Sequence, residues 1–262
     1  MISAFGKRSD LTGERGVQGA GCRSSCPNAR RHGFSLVELI VVMSVTLLLT
    51  GLMMPALIQI RENAHRVICA SNLRQVGLAT VLYADDHSGN LPPSRFSEPG
   101  GNKQEMMAVH LGMGPEEWEG LGWLYVGRYF TAPQIFYCPS HHGVHQYDRY
   151  EELYRHPSDH GQRIYSNYHY AGPTNWVEGT RRRIDRGEEV VLVTDGLRTF
   201  RDFNHKVGLN VLRGDNSVRW HEDSTGQIKN TLPPIPPDDE PPGEGSTDDL
   251  YGKIWDLLRE TQ

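Results

Sequence analysis

Leu39–Ile58, LIVVMSVTLLLTGLMMPALI, is a run of twenty residues without a charge, interrupted only by the weakly polar Ser44, Thr46 and Thr50. As a helix it spans about 30 Å at about 1.5 Å per residue, the thickness of a bilayer's hydrocarbon core. Apolar core helices of globular proteins rarely run past about 14 residues, so a membrane span is the better reading. No other segment of the chain competes for that role.

Charge assigns the span a direction. The 262 residues carry a formal net charge of −5. Residues 1–33 contain six basic groups (Lys7, Arg8, Arg15, Arg23, Arg30, Arg31) and two acids (Asp10, Glu14), hence +4, which leaves −9 for residues 34–262. Basic residues beside a span stay in the cytoplasm, so the chain is expected to cross the inner (cytoplasmic) membrane once, N-terminus inside, with its acidic portion exported. A nucleic-acid partner is not expected. There is no C-x2-C…H-x3-H spacing, and outside the leader the only basic cluster is Arg181–Arg183.

The leader fits none of three common export signals. A secretory signal would have a shorter apolar stretch ending in small residues, whereas this one ends Ile58-Gln59-Ile60-Arg61. No apolar run precedes Cys22 as a lipoprotein would require, and Arg30-Arg31, a twin-arginine candidate, is followed by the carboxylate Glu38 at the edge of the run. Gly33-Phe34-Ser35-Leu36-Val37-Glu38, leading directly into the apolar run, instead resembles the cleavage and methylation signature of type IV prepilins and of type II secretion pseudopilins. Pro55 falls where many of those proteins carry a helix-bending proline. One departure is the leader, whose 33 residues are long for a pseudopilin and leave the true start codon open.

The resemblance implies an α+β, pilin-like fold, a long N-terminal helix packed on a small antiparallel β-sheet. It implies cleavage between Gly33 and Phe34 and methylation of the Phe34 amine by a prepilin peptidase. Its further implied partners are other pilin or pseudopilin subunits, an inner-membrane assembly platform and membrane lipid. The expected role is a structural subunit of a type II secretion pseudopilus or type IV pilus-like fibre, not an enzyme. The alternative is a non-polymerising, single-pass, membrane-anchored extracytoplasmic binding protein. Elementary physics also singles out Glu38: a charge at the centre of a spanning helix costs about 2.5–3.5 kcal/mol, so even one at the rim calls for a partner. Within the resemblance that partner is the Phe34 amine of a neighbouring subunit. Pro55 removes a backbone hydrogen bond and clashes at Gly51, so a kink or unwound turn is expected there.

The organisation expected is a basic leader over 1–33, a transmembrane helix over 34–60, a globular head over 61–230, a Pro/acid-rich linker over 231–247 and a short C-terminal helix over 248–262. Ile60, Ala64, Val67, Cys69, Leu73, Val76, Thr80 and Tyr83 recur every three or four residues, continuing the helix onto the head until Asp85–Asn90 and Pro92-Pro93 end it. Residues 86–133 read as a loop-rich subdomain. Ile135–Cys138, Arg163–Tyr170, Glu189–Thr194, Gly208–Leu212 and Ser217–Trp220 read as antiparallel strands.

A second resemblance rests on His205, nine intervening residues, then Asp215-Asn216, which looks like the H-x9-DG signature near the C-terminal end of a large bacterial subgroup of prepilin-type proteins. Segments 69–75 and 136–139 also recur in that subgroup. Asn216 stands where the signature has Gly, and tolerates the same left-handed turn. Asp195, His205, Asp215 and Asn216 are candidate metal ligands, with calcium the expected ion because related pseudopilins bind it through C-terminal loops; turn-capping Asp residues explain the same pattern. His141-His142-x-x-His145 has a spacing that suits a transition metal, but a solvated polar loop accounts for it better. Cys69 and Cys138, once exported, could form a disulfide or remain two buried thiols. Asp195, His205 and Ser217 make a triad only on paper, without a G-x-S-x-G elbow, H-E-x-x-H or phosphate loop to support it.

Overall fold

A computed structural model describes residues 33–157, 161–172, 174–175, 180–181, 183–184, 187, 190–233 and 247–260. The basic leader and most of the Pro-rich linker lie outside the described residues.

Helix α1 covers Leu36–Asp86, 51 residues, and runs on through Gly51 and Pro55 rather than unwinding there. The chain divides into two compact units within this helix, between Gly51 and Leu52. In the first unit the apolar side chains are exposed, as those of a lipid-facing helix are. Its polar interruptions are neutralised locally: the Ser44 hydroxyl donates to the Val41 carbonyl at 2.8 Å, Thr46 to Met43 at 2.9 Å and Thr50 to Thr46 at 2.9 Å. A hydroxyl satisfied by its own helix demands nothing of lipid.

In the second unit α1 buries Cys69, Leu73, Val76, Thr80 and Tyr83 of the expected stripe, with Gly77 beside them, whereas Ile60, Ala64 and Val67, expected on the same stripe, are exposed. After it come β1 (Ala108–His110), α2 (Gly122–Val126), α3 (Tyr147–Arg155), β2 (Ile164–Tyr165), β3 (Tyr168–Tyr170), β4 (Thr174–Asn175), β5 (Thr180–Arg181), β6 (Val191–Asp195), β7 (Gly208–Arg213), β8 (Val218–Glu222) and α4 (Asp248–Glu260). The main sheet is antiparallel, in the order β3-β6-β7-β8, and β1-β2 and β4-β5 form two small two-stranded sheets. The architecture is therefore α+β and pilin-like, a long helix packed with antiparallel sheet.

Two segments differ from expectation. Ile135–Cys138 is not a strand: Pro133, with its fixed φ, starts a 3-10 turn over Pro133–Phe136, and Tyr137-Cys138 follow as irregular chain. Arg163–Tyr170 breaks at Ser166-Asn167, where the Ser166 hydroxyl bonds the Tyr168 carbonyl at 2.8 Å, so its two halves pair in different sheets. Residues 86–133 hold short helices joined by turns, as expected, and contribute Met106, Met107, Val109, Trp118, Leu121 and Leu124 to the core.

The C-terminal helix α4 is equally integral. Its Tyr251, Ile254, Trp255 and Leu258 form one apolar cluster with Val191, Leu197, Phe203, Leu209 and Val211. Tyr251 donates its hydroxyl to the Leu197 carbonyl at 2.8 Å, and Arg213 Nη2 caps the Leu258 carbonyl at 3.0 Å. The β7–β8 hairpin turns at Asn216, whose φ of 64° is the left-handed conformation expected of it, with Asp215 Oδ1 accepting the Ser217 amide at 2.8 Å. Helix α1 approaches this turn so closely at Gly77 that an added Cβ would lie 2.1 Å from Asn216 Oδ1 and 2.9 Å from Leu212 Cδ1.

Candidate functional site: a buried carboxylate and imidazole cluster

Glu62 and Cys69 stand seven residues apart on α1, two turns and hence one face. That face meets the chain at Cys138 and Ser140, just beyond the Pro133 turn, and the loop between β6 and β7, which delivers Asn204 and His205. Cys69 and Cys138 are joined by a disulfide with a Cα–Cα distance of 5.4 Å. His205 Nδ1 lies 2.6 Å from Glu62 Oε1, and Ser140 donates to the other oxygen of Glu62 at 2.8 Å. On its opposite edge, His205 Nε2 is 3.5 Å from Asp195 Oδ2 and 3.6 Å from Cys138 Sγ.

Asp195 ends β6 and is held from β7, its Oδ2 accepting the Asn210 amide at 2.6 Å and the Asn210 side-chain amide at 3.1 Å. Asn204 Nδ2 donates to the Asn167 carbonyl at 2.8 Å and sits 3.5 Å from Asp195 Oδ1, while its Oδ1 faces His141 Nδ1 at 2.8 Å. The Arg66 guanidinium stacks over Trp220 at 3.3 Å, and the Trp220 ring meets His205 edge-on at 5.5 Å. Around the buried Asp195 and His205 these neighbours replace water, whereas the Glu62 side chain stays 36% exposed.

The electrostatics follow from this placement. Burial pushes the Glu62 carboxyl up, but hydrogen bonds from His205 and Ser140 and the nearby His205 and His65 outweigh it, leaving the carboxyl below its ordinary value. Asp195 is enclosed completely, and burial raises it despite His205 and the Asn210 donors. Burial likewise drives His141 below the ordinary imidazole value and, assisted by the Arg198 charge, takes His145 down to about 2.

Of the four candidate metal ligands, Asp195 and His205 meet, but Asp215 and Asn216 lie in the β7–β8 turn, at the far end of a six-residue strand that covers about 17 Å. The set therefore does not converge, because the nine residues between His205 and Asp215 are spent on running the length of β7. Ser217 lies in that same distant turn, so it does not join Asp195 and His205 either. The histidine triplet is not a solvated loop: His141 and His145 are buried on separate partners, Asn204 and the Tyr150 hydroxyl (2.6 Å), and His142 alone is exposed. At the other end of the chain, Gly33, Phe34 and Ser35 precede the helix, Phe34 is 78% exposed, and Glu38 lies in the first turn of α1.

Sequence reading missed Glu62, Ser140, Asn204 and Asn210. Glu62 reads as one more polar residue of an amphipathic helix; its seven-residue spacing to Cys69 was the available signal. Nothing in sequence marks Ser140 or the asparagines, whose roles arise from the fold bringing three distant segments together.

A family model described as "Protein of unknown function (DUF1559)" matches residues 59–204, more than half of the chain, and so spans Glu62, both bridged cysteines, Asp195 and Asn204. A second, described as "Prokaryotic N-terminal methylation motif", matches residues 28–54. No curated protein and no solved structure matches the chain.

Proposed function

The chain belongs to the DUF1559 family and carries a prokaryotic N-terminal methylation motif, and on that premise we propose that it is a subunit of a pseudopilus or pilus-like fibre, released for assembly by a prepilin peptidase. The carrying observation is the methylation motif set directly against a helix long and apolar enough to cross a membrane. As a prepilin-like protein it is anchored by this span, the one such helix among the described residues. The basic leader favours a cytoplasmic N-terminus, with the head outside.

Two local features support the processing step. The Gly33–Phe34 bond precedes the first helical residue, Leu36, so a peptidase meets irregular chain rather than hydrogen-bonded helix. Cleavage would create an amine four residues before Glu38, a cation suited to a carboxylate of an adjacent subunit in a low-dielectric fibre core. The role this supports is structural: the head is tied internally by a disulfide, and the helix supplies the polymerising contact.

N-terminal sequencing and mass spectrometry of the mature membrane protein test the proposal. A chain beginning at N-methylated Phe34 is expected, and an intact leader in cells with an active prepilin peptidase would overturn it. Crosslinks through the 34–60 helix report assembly; a strictly monomeric membrane protein would point instead to an anchored binding protein.

A further inference from the structure

The side chains behind the disulfide are arranged as a metal site whose two sulfurs are bonded to each other. Cys69 Sγ, Cys138 Sγ, one Asp195 carboxylate oxygen and one His205 ring nitrogen all lie within 4.8 Å of one another, and all four residues are buried. Zinc held tetrahedrally at about 2.3 Å from sulfur and about 2.0–2.2 Å from nitrogen and oxygen requires edges of about 3.6 Å for N to S and about 3.4 Å for N to O. His205 Nε2 already stands 3.6 Å from Cys138 Sγ and 3.5 Å from Asp195 Oδ2.

The surroundings match what a ligated imidazole needs. A zinc-binding histidine gives its other ring N–H to a carboxylate, which fixes the tautomer and turns the remaining lone pair on the metal. Glu62 occupies that position, 2.6 Å from His205 Nδ1, and is itself held by Ser140. Asp195 is braced in the same way by Asn210 and Asn204. A surface cavity of about 560 Å³ is lined in part by Cys138, beside Asn72, Tyr137 and Asn167.

We propose that Cys69, Cys138, Asp195 and His205 form a redox-gated zinc site, closed as a disulfide when oxidised and able to bind one zinc ion when reduced. A dithiol transfers two electrons and two protons to the Cys69–Cys138 bond and closes into its own disulfide, leaving two thiols. Zinc then displaces both thiol protons to solvent as the sulfurs separate to about 3.8 Å and become thiolates. In either state the four residues fasten α1 to the segment after Phe136, by a covalent clasp or by a metal. Borderline-soft zinc suits this donor set, whereas calcium, an oxygen-seeking ion, does not. The four residues are the same whether or not the chain polymerises.

The test uses the full chain in detergent with Cys22 and Cys26 replaced by Ser, so that Cys69 and Cys138 are the only thiols. The protein, stripped of metal, is titrated with Co²⁺ and then Zn²⁺, oxidised and after reduction by a phosphine, which ends as its oxide. The reduced chain should bind one Co²⁺ with the visible bands of tetrahedral cobalt and thiolate charge transfer, and Zn²⁺ should bleach both; the oxidised chain should show neither. His205→Gln keeps the disulfide, and so folds oxidised, but should lose the cobalt spectrum once reduced. Glu62→Gln should retain the spectrum with metal affinity lowered about 10–100-fold. Circular dichroism covers a reduced chain that loses its fold: cobalt should then restore fold and spectrum together. A reduced chain without the thiolate bands, equal binding by the oxidised chain, or an unaltered spectrum in His205→Gln would each overturn the proposal.

Discussion

At the scale of single residues, one close approach and one left-handed turn carry specific costs. Gly77 faces Asn216 and Leu212 with no room for a Cβ, so Gly77→Val should destabilise the head by about 1–3 kcal/mol, the usual cost of overpacking. Asn216, at φ 64°, should tolerate Gly, whereas Asn216→Val should lose about 1–2 kcal/mol to left-handed strain; chemical denaturation of the three variants checks both statements. Titration supplies a second residue-scale prediction. His145, which faces Tyr150 and Arg198 and is depressed by burial first and then by the charges of Arg198, His141 and Arg149, sits at about 2, and His169, buried against Tyr251 and Trp255, at about 3. Both stay neutral in the folded chain while their unfolded counterparts take up a proton near pH 6.5, so stability falls as pH drops below that value. Between pH 6.5 and 5 each should cost about 2 kcal/mol. Asp195 and Asp202, raised by burial, act in the opposite sense, because protonation favours the folded chain. Melting temperatures at pH 7, 6 and 5 should therefore fall, and fall less steeply in His169→Phe. Of the site itself, sequence exposed His205 through its spacing to Asp215-Asn216, Asp195 as a carboxylate near it, and the cysteine pair as the two thiols beyond the span; it did not expose Glu62 or Asn210, whose partners lie more than a hundred and about fifteen positions away respectively.

At the scale of elements, α1 was the most readable because one helix answers two periodicities: an unbroken apolar run and then a stripe at every third or fourth residue. The β-strands were read less well where local chemistry won. Pro133 turned one of them into a 3-10 segment, and Ser166 split another by offering its hydroxyl to the backbone. Helix α4 was read as a helix from its Leu, Ile and Trp spacing, yet its place in the core was invisible, since an amphipathic face does not name what covers it. Trp255→Ala should accordingly cost about 3–5 kcal/mol, as a core deletion does, rather than the few tenths expected of a surface tail. Glu38→Val, by contrast, should leave membrane insertion intact and abolish incorporation into a fibre, measured by co-purification of crosslinked oligomers; normal assembly of that variant would remove Glu38 from the interface.

For the whole molecule, the disulfide closes a loop with a sequence separation of 69, and such a constraint on the unfolded chain is worth about 4 kcal/mol. Cys69→Ala with Cys138→Ala should lower stability by that order in metal-free buffer, read from the shift in denaturation midpoint. The inclusion of α4 in the core also has a temporal consequence. Polypeptide is made at about 5–20 residues per second, so the roughly two hundred residues separating the apolar run from α4 take about 10–40 s to synthesise. From the moment they are made until the end of that interval, Val191, Leu209 and Val211 lack their cover from Tyr251 and Trp255. The second apolar cluster of the head therefore closes only once the last helix has been made, after every strand that it covers.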